Sequence, residues 1–329
     1  MTEFLGQSEQ EEALLAAAHG GALHHAWLLT GPKGIGKAGF ARRAALRLLA
    51  ESAGPAPGLS GLDVPADHPI ARLIEAGSHP DYRVLERLPR EPSGELARNI
   101  PIDQVRTLQR LFATTPSQSS RRVVIIDSAD DLERPAANAL LKNLEEPPAD
   151  TLFLLVSHTP GRLLATIRSR CRVLRFHPLD DAAMAAVLGA HLPDADAGEI
   201  AALVAAGGGA PGNALRFAGL DIGGLEAALA DFARTGDPSN AGRSALARAL
   251  ALKAAQPRYE AFLERAPSFI AHAAHARSGV ALADALALWE KARGLAAGAV
   301  QASLDPQNVV FELGSLVAAL APKAATVKG

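Results

Sequence analysis

The residues that could do chemistry begin with Gly31–Ala38, read Gly-Pro-Lys-Gly-Ile-Gly-Lys-Ala. Gly31, Gly34 and Gly36 let backbone N–H groups turn inward around phosphate oxygens, and Lys37 adds a cation beside them. With Pro32, Lys33 and Ile35 they make a candidate phosphate loop whose ligand would be ATP or ADP. The position after the lysine normally carries the hydroxyl that holds Mg²⁺, and here it is Ala38. A second acidic motif ends the run Arg122-Val-Val-Ile-Ile-Asp127. Asp127 stands where an aspartate orders the metal, but Ser128 follows where a glutamate would activate the attacking water. A serine takes up no proton at neutral pH without a partner base. Two separate losses, Ala38 and Ser128, make hydrolysis by this chain alone unexpected. Two readings of the loop stay open: a nucleotide cradle, or glycines kept because the turn itself demands them.

A basic cluster comes next, Thr166-Ile-Arg168-Ser-Arg170-Cys171-Arg172, with Arg175 close behind. Arg168, Arg172 and Arg175 suit a solvated basic edge as well as they suit a site. Arg170 is set apart from them by its neighbours, Ser169 and Cys171. Cys171 reads as a small buried residue, since no paired base stands near it in the sequence. His68 and His79 lack metal-ligand partners and read as surface histidines. Glu145 and Glu146 close a helix, where carboxylates oppose the dipole; an external partner or plain solvation would both account for them. The pairs Asp130-Asp131 and Asp180-Asp181 look like caps and loops.

The elements that must position these residues follow from periodicity. Ser8 and Glu11 fit a capping box for a first helix that Gly20-Gly21 ends. Ala26–Thr30 is a buried strand, the loop follows, and Phe40–Leu49 is helical. Residues 52–69 are rich in Gly, Pro, Ala and Asp and read as irregular. Further strands are expected at Tyr82–Leu88, Arg122–Asp127, Thr151–Ser157 and Arg172–Phe176, with an exposed loop at Pro89–Asn99. Pro101 would be the first residue of a helix through Ala113. Pro135 would open another, striped by Ala137, Leu140, Leu141 and Leu144 and stopped by Pro147-Pro148. Continuous β-branched strands alternating with helices predict an α/β domain with a mostly parallel sheet. Beyond Leu179 only helices are expected: Asp180–Gly189, Ala197–Ala206, a stretch from Ala214, and Ala-rich helices to the end. The last of these shows Val309, Leu313, Leu316, Val317 and Leu320 on one face, and Pro322–Gly329 is expected to fray.

At 329 residues the chain exceeds one ordinary core. Boundaries are placed at 1–178 for the α/β domain, 179–219 for a small helical lid and 220–329 for a larger helical domain. Net charge is −2, so any contact with nucleic acid must come from a local patch or through partners. A single cysteine excludes an internal disulfide and a cysteine-rich zinc site. No leader pattern and no apolar run of membrane-spanning length is seen, so a cytoplasmic protein is expected.

Asn138-Ala-Leu-Leu-Lys-Asn-Leu-Glu-Glu-Pro-Pro148, followed by Ile167-Arg-Ser-Arg-Cys171, closely resembles bacterial clamp-loader subunits of the AAA+ class. The resemblance is strong over Ala22–Phe176 and weak beyond Leu220. It implies an AAA+ phosphate-loop domain, a helical lid and an all-α collar. It also implies that Arg170 is an arginine finger, acting in trans on ATP held by a neighbouring motor subunit. The motor subunits keep a hydroxyl at the Ala38 position and a glutamate at the Ser128 position; this chain looks like the stator, whose own ATP site is defective. His79-Pro-Asp-Tyr82 and Asp103-Gln-Val-Arg106 are also similar to stator chains. The implied partners are motor and delta subunits, with the sliding clamp and primed DNA reached through the complex. The zinc-binding cysteines of many stators are missing here, so no zinc is expected. Asn213 stands where motors carry a nucleotide-sensing arginine, and Arg216 one turn later reads as exposed. An active motor subunit, a phosphate-loop nucleotide kinase and a free-standing DNA-binding module are the rival readings.

Overall fold

The computed structural model describes residues 6–54, 57–92, 94–302 and 304–322. The chain divides into two compact units, one reaching Val187 and including Gly209–Gly212, the other holding Leu188–Gly208 and the chain from Asn213.

The first unit is built on β1 (Ala26–Thr30), β2 (Tyr82–Glu86), β3 (Arg122–Asp127), β4 (Thr151–Ser157) and β5 (Arg172–Arg175). They pair in parallel in the order β2-β3-β4-β1-β5. The central strands read as unbroken apolar runs because both faces are covered. Helices α1 (Ser8–His19), α2 (Lys37–Ala53), α3 (Pro69–Glu75), α4 (Ile102–Phe112), α5 (Arg134–Glu145) and α6 (Ala165–Arg168) supply the cover. Trp27 and Leu29 join Phe40, Leu48 and Leu14 on one face, while Ala26 and Leu28 join Leu108, Leu140 and Ile167 on the other. Thr30 of β1 lies opposite Ser157 of β4, and Ile126 of β3 opposite Leu155, so the phosphate loop, Asp127 and His158 all leave the same edge of the sheet. This α/β arrangement followed by helices is the expected fold class.

α7 (Asp181–His191) carries the chain from the first unit into the second. The rest is α8 (Ala197–Gly207), α9 (Pro211–Leu215), α10 (Ile222–Thr235), α11 (Ala241–Leu250), α12 (Gln256–His275), α13 (Gly279–Gln301) and α14 (Pro306–Ala318). Among the described residues no strand follows β5. α14 buries Val309, Leu313 and Val317 on one stripe, with Leu320 just beyond, as the spacing predicts; Leu316 is half-buried.

Several local expectations are corrected. Ser8 is the first residue of α1 rather than its cap; Gln7 takes that place with no side-chain hydrogen bond, and Glu11 reaches Arg43 at 2.9 Å instead. Between α2 and α3 the described residues form no helix or strand, as expected, though Leu62 and Val64 are buried; α3 is capped by His68, whose Nδ1 accepts from Ile70 N. His79 is not a surface residue. It is 4% exposed, its Nδ1 accepts from Asp81 N, and burial lowers its pKa. Pro101 caps α4 from outside. β2 and β5 stop two residues and one residue short of the expected ends, at Glu86 and Arg175. α10 starts inside the Gly- and Asp-containing stretch 221–224, where the Asp221 side chain accepts from Gly224 N, and Leu225, Leu229 and Phe232 bury the face that follows. The tail from residue 323, expected to fray, lies outside the described residues.

Candidate phosphate loop and arginine site

The loop Gly31–Ala38 joins β1 to α2. Gly31, Gly34 and Gly36 have φ of 146°, 80° and 100°, conformations that side chains other than glycine rarely adopt. Ile35 is buried beneath the turn, Pro32 and Lys33 are exposed, and Ala38 is half-buried. Gly212 N donates to Gly34 O at 2.7 Å, and a Cβ on Gly212 would stand 2.9 Å from that oxygen. The strand-to-helix turn is thus seated on a second glycine far away in sequence.

Lys37 is 2% exposed, and its Nζ donates to Gly31 O and Pro32 O, both at 2.6 Å. The cation satisfies carbonyls of its own loop. Burial pulls its pKa down to about 8, with the carboxylates of Asp130 and Asp127 acting in the opposite direction.

Asp127, at the end of β3, faces a guanidinium: Arg42 Nη1 is 3.3 Å from its Oδ2. Arg42 also donates to Glu86 Oε2 at 2.9 Å. Arg42 lies four residues after Ala38 on α2, so both share one helix face. A Mg²⁺–nucleotide needs a hydroxyl at position 38 and a free carboxylate at 127. Here it meets a methyl group and an arginine-paired acid, so these residues do not fit that ligand. The backbone N–H groups of the glycine turn fit a bare phosphate better than a metal complex.

Ser128, in the place of the glutamate, is 4% exposed and donates to Asp130 Oδ2 at 3.1 Å. Asp130 is a structural hub. It also accepts from Ser157 Oγ at 2.9 Å, His158 N at 2.5 Å and Thr159 N at 3.3 Å, tying the end of β3 to the end of β4. His158 follows β4 with its Nδ1 buried and without a partner among the described residues. Burial first, then Lys37, holds its pKa down. Both causes favour the neutral form of the imidazole beside the loop.

Arg170 belongs to a different part of the unit, after α6. Ile167 on that turn is fully buried, and Arg170 N donates to Ile167 O at 3.1 Å. The guanidinium stays partly exposed. Its Nη2 is 2.7 Å from Glu145 Oε1, and its Nη1 donates to Thr166 O at 3.0 Å. The neighbouring arginines are held as an exposed edge: Arg168 donates to Pro160 O, Arg172 stacks over Trp27 with 4.8 Å to the ring centroid, and Arg175 faces solvent on β5. Burial raises the Cys171 thiol to about 12, which keeps it protonated and unreactive. Arg216, at the surface of the second unit, pairs with Glu264.

The sequence places the loop, Asp127 and Ser128 together, and the fold does so too. Arg42 and Gly212 are the parts that sequence reading passed over, and Asp130, read there as a cap or loop residue, joins β3 to β4. For Arg42 a signal exists, the four-residue step from Ala38 along a helix. For Gly212 there is none, because only the fold brings it to the loop.

A family model described as DNA polymerase III, delta subunit, matches residues 6–180, just over half of the chain. DNA polymerase III subunit delta' of Pseudomonas aeruginosa is 41% identical over 214 residues, covering 64% of this chain and 61% of that protein. The Bacillus subtilis protein of the same name is 37% identical over 162 residues, covering 49% and 45%. The matched stretches thus span less than two thirds of these relatives. A solved structure, a DNA polymerase III gamma subunit-related protein from Thermotoga maritima, aligns over 94% of this chain and 99% of its own with 15% identity and a TM-score of 0.45.

Proposed function

The chain belongs to the family described as DNA polymerase III, delta subunit, and from that premise we propose that it is the stator of a clamp loader, lending Arg170 in trans to ATP bound by a neighbouring motor subunit. The observation that carries this reading is the pairing of Asp127 with Arg42 beside Ala38. The chain's own loop lacks the chemistry for a metal–nucleotide, while Arg170 stands partly exposed on a turn anchored by buried Ile167. A guanidinium in that position can stabilise charge spreading over a transferring phosphoryl group.

Under this reading the phosphate loop is a rigid turn and at most a phosphate cradle; hydrolysis belongs to the neighbour. The lid at 179–219 and the collar at 220–329 are part of the proposal, with the collar joining motor and delta subunits in a hetero-oligomer of the cytoplasm. The sliding clamp and primed DNA are reached through that assembly. Among the described residues no helix is long and apolar enough to cross a membrane.

The test is Arg170→Ala in a reconstituted complex. Assembly should persist on gel filtration, and clamp- and DNA-stimulated ATP hydrolysis should fall by about tenfold or more. Unchanged hydrolysis overturns the assignment.

A further inference from the structure

Glu145 and Arg170 are 25 residues apart in sequence and meet on the surface of the first unit at 2.7 Å. Resting on the reading of Arg170 given above, we propose that Glu145 is the positioning residue that holds this guanidinium in place for the phosphates of a neighbouring subunit's nucleotide.

Both backbones are fixed from below. Glu145 is the last residue of α5, which Pro147-Pro148 prevents from continuing. The residue before it, Leu144, is 1% exposed, and His25 Nε2 donates to Leu144 O at 3.1 Å. Arg170 follows α6, held by fully buried Ile167. Both side chains therefore leave anchored positions and meet.

Stability is a poor account of the contact. The Arg170 and Glu145 side chains are 34% and 46% exposed, and ion pairs this open contribute little to folding. The carboxylate also sits at a helix C-terminus, where the dipole disfavours it until a cation arrives. What the contact does supply is order. A free arginine has much rotamer freedom, and here Glu145 fixes one end of the guanidinium while Thr166 O and Ser169 Oγ, at 3.0 and 3.5 Å, receive another. Five N–H donors against three contacts leave donors for an incoming phosphate. A finger already ordered loses less freedom when the neighbour's nucleotide is engaged.

The experiment measures ATP hydrolysis by the reconstituted complex carrying Glu145→Ala, Glu145→Gln or Arg170→Ala, and the double variant Glu145→Ala with Arg170→Ala. Glu145→Ala should lower kcat by about threefold to fivefold, the range of an exposed charged contact, with KM for ATP unchanged. Glu145→Gln keeps an oxygen that accepts from Nη2 and should recover to within about twofold of the parent. In the Arg170→Ala background, Glu145→Ala should change nothing further. Wild-type kcat in Glu145→Ala, or an equal loss in both backgrounds, overturns the positioning role while leaving the finger intact. An Arg170→Ala complex with unchanged hydrolysis overturns the finger itself and the inference with it.

Discussion

Arg42 Nη1 lies 3.3 Å from Asp127 Oδ2, so the acid that ends β3 is answered by a side chain of the helix that the phosphate loop opens. The two charges neutralise each other where a metal–nucleotide site would need one of them free. Ala38, one turn before Arg42, removes the hydroxyl as well. Under the proposed reading the obstacles to hydrolysis are therefore several: Ala38, Ser128 and the pairing of Arg42 with Asp127.

Restoring the hydroxyl alone should fail for that reason. Ala38→Thr in the isolated chain should show phosphate release no higher than the parent, because Arg42 still holds Asp127 and Ser128 still cannot take up a proton. Measurable turnover by Ala38→Thr would contradict this account of the site.

The turn itself should tolerate no side chain at its first glycine. Gly31 has φ of 146°, and a Cβ there would stand 2.5 Å from Phe176 O. The obstacle is backbone next to the Phe40–Phe176 edge contact, which cannot swing aside. Gly31→Ala should destabilise the chain by about 2 kcal/mol or more, read as a lowered Tm. A Tm equal to the parent's would show that the loop relaxes freely.

Buried Lys37 gives the chain a pH signature. In the folded chain it loses its proton around pH 8, and in the unfolded chain around 10.5. Between those values the unfolded state holds more protons, so the contribution of Lys37 to stability rises with pH across the window. Below pH 8 the lysine is charged in both states and its penalty is constant. Urea unfolding of the parent and Lys37→Met at pH 7 to 10 should show the parent gaining relative to the variant, by up to about 3 kcal/mol. A pH-independent difference would mean that the buried ammonium titrates normally.

Much of the first unit was legible because its signals are local. Strands alternate with helical periods, and the apolar runs of β1, β3 and β4 call for cover on both faces, which together point to a parallel sheet. The glycine spacing at 31, 34 and 36 likewise carries its own backbone conformation. The misreadings share another cause. Ser8 looks like a cap until Gln7 takes the position, and His79 looks exposed until Asp81 N and the surrounding chain bury it.

The sequence by itself determined the strand-loop-helix frame, the missing hydroxyl at Ala38 and the missing base at Ser128; the role of Arg170 came only with the family resemblance. The first three are properties of residue type and spacing, and chemistry reads them without coordinates. Tertiary structure alone decided which charges meet: Arg42 with Asp127, Asp130 with the end of β4, Lys37 with its own loop carbonyls, and Glu145 with Arg170. Electrostatic attraction acts over a few ångströms, and the sheet order and helix packing set those distances across long gaps in sequence.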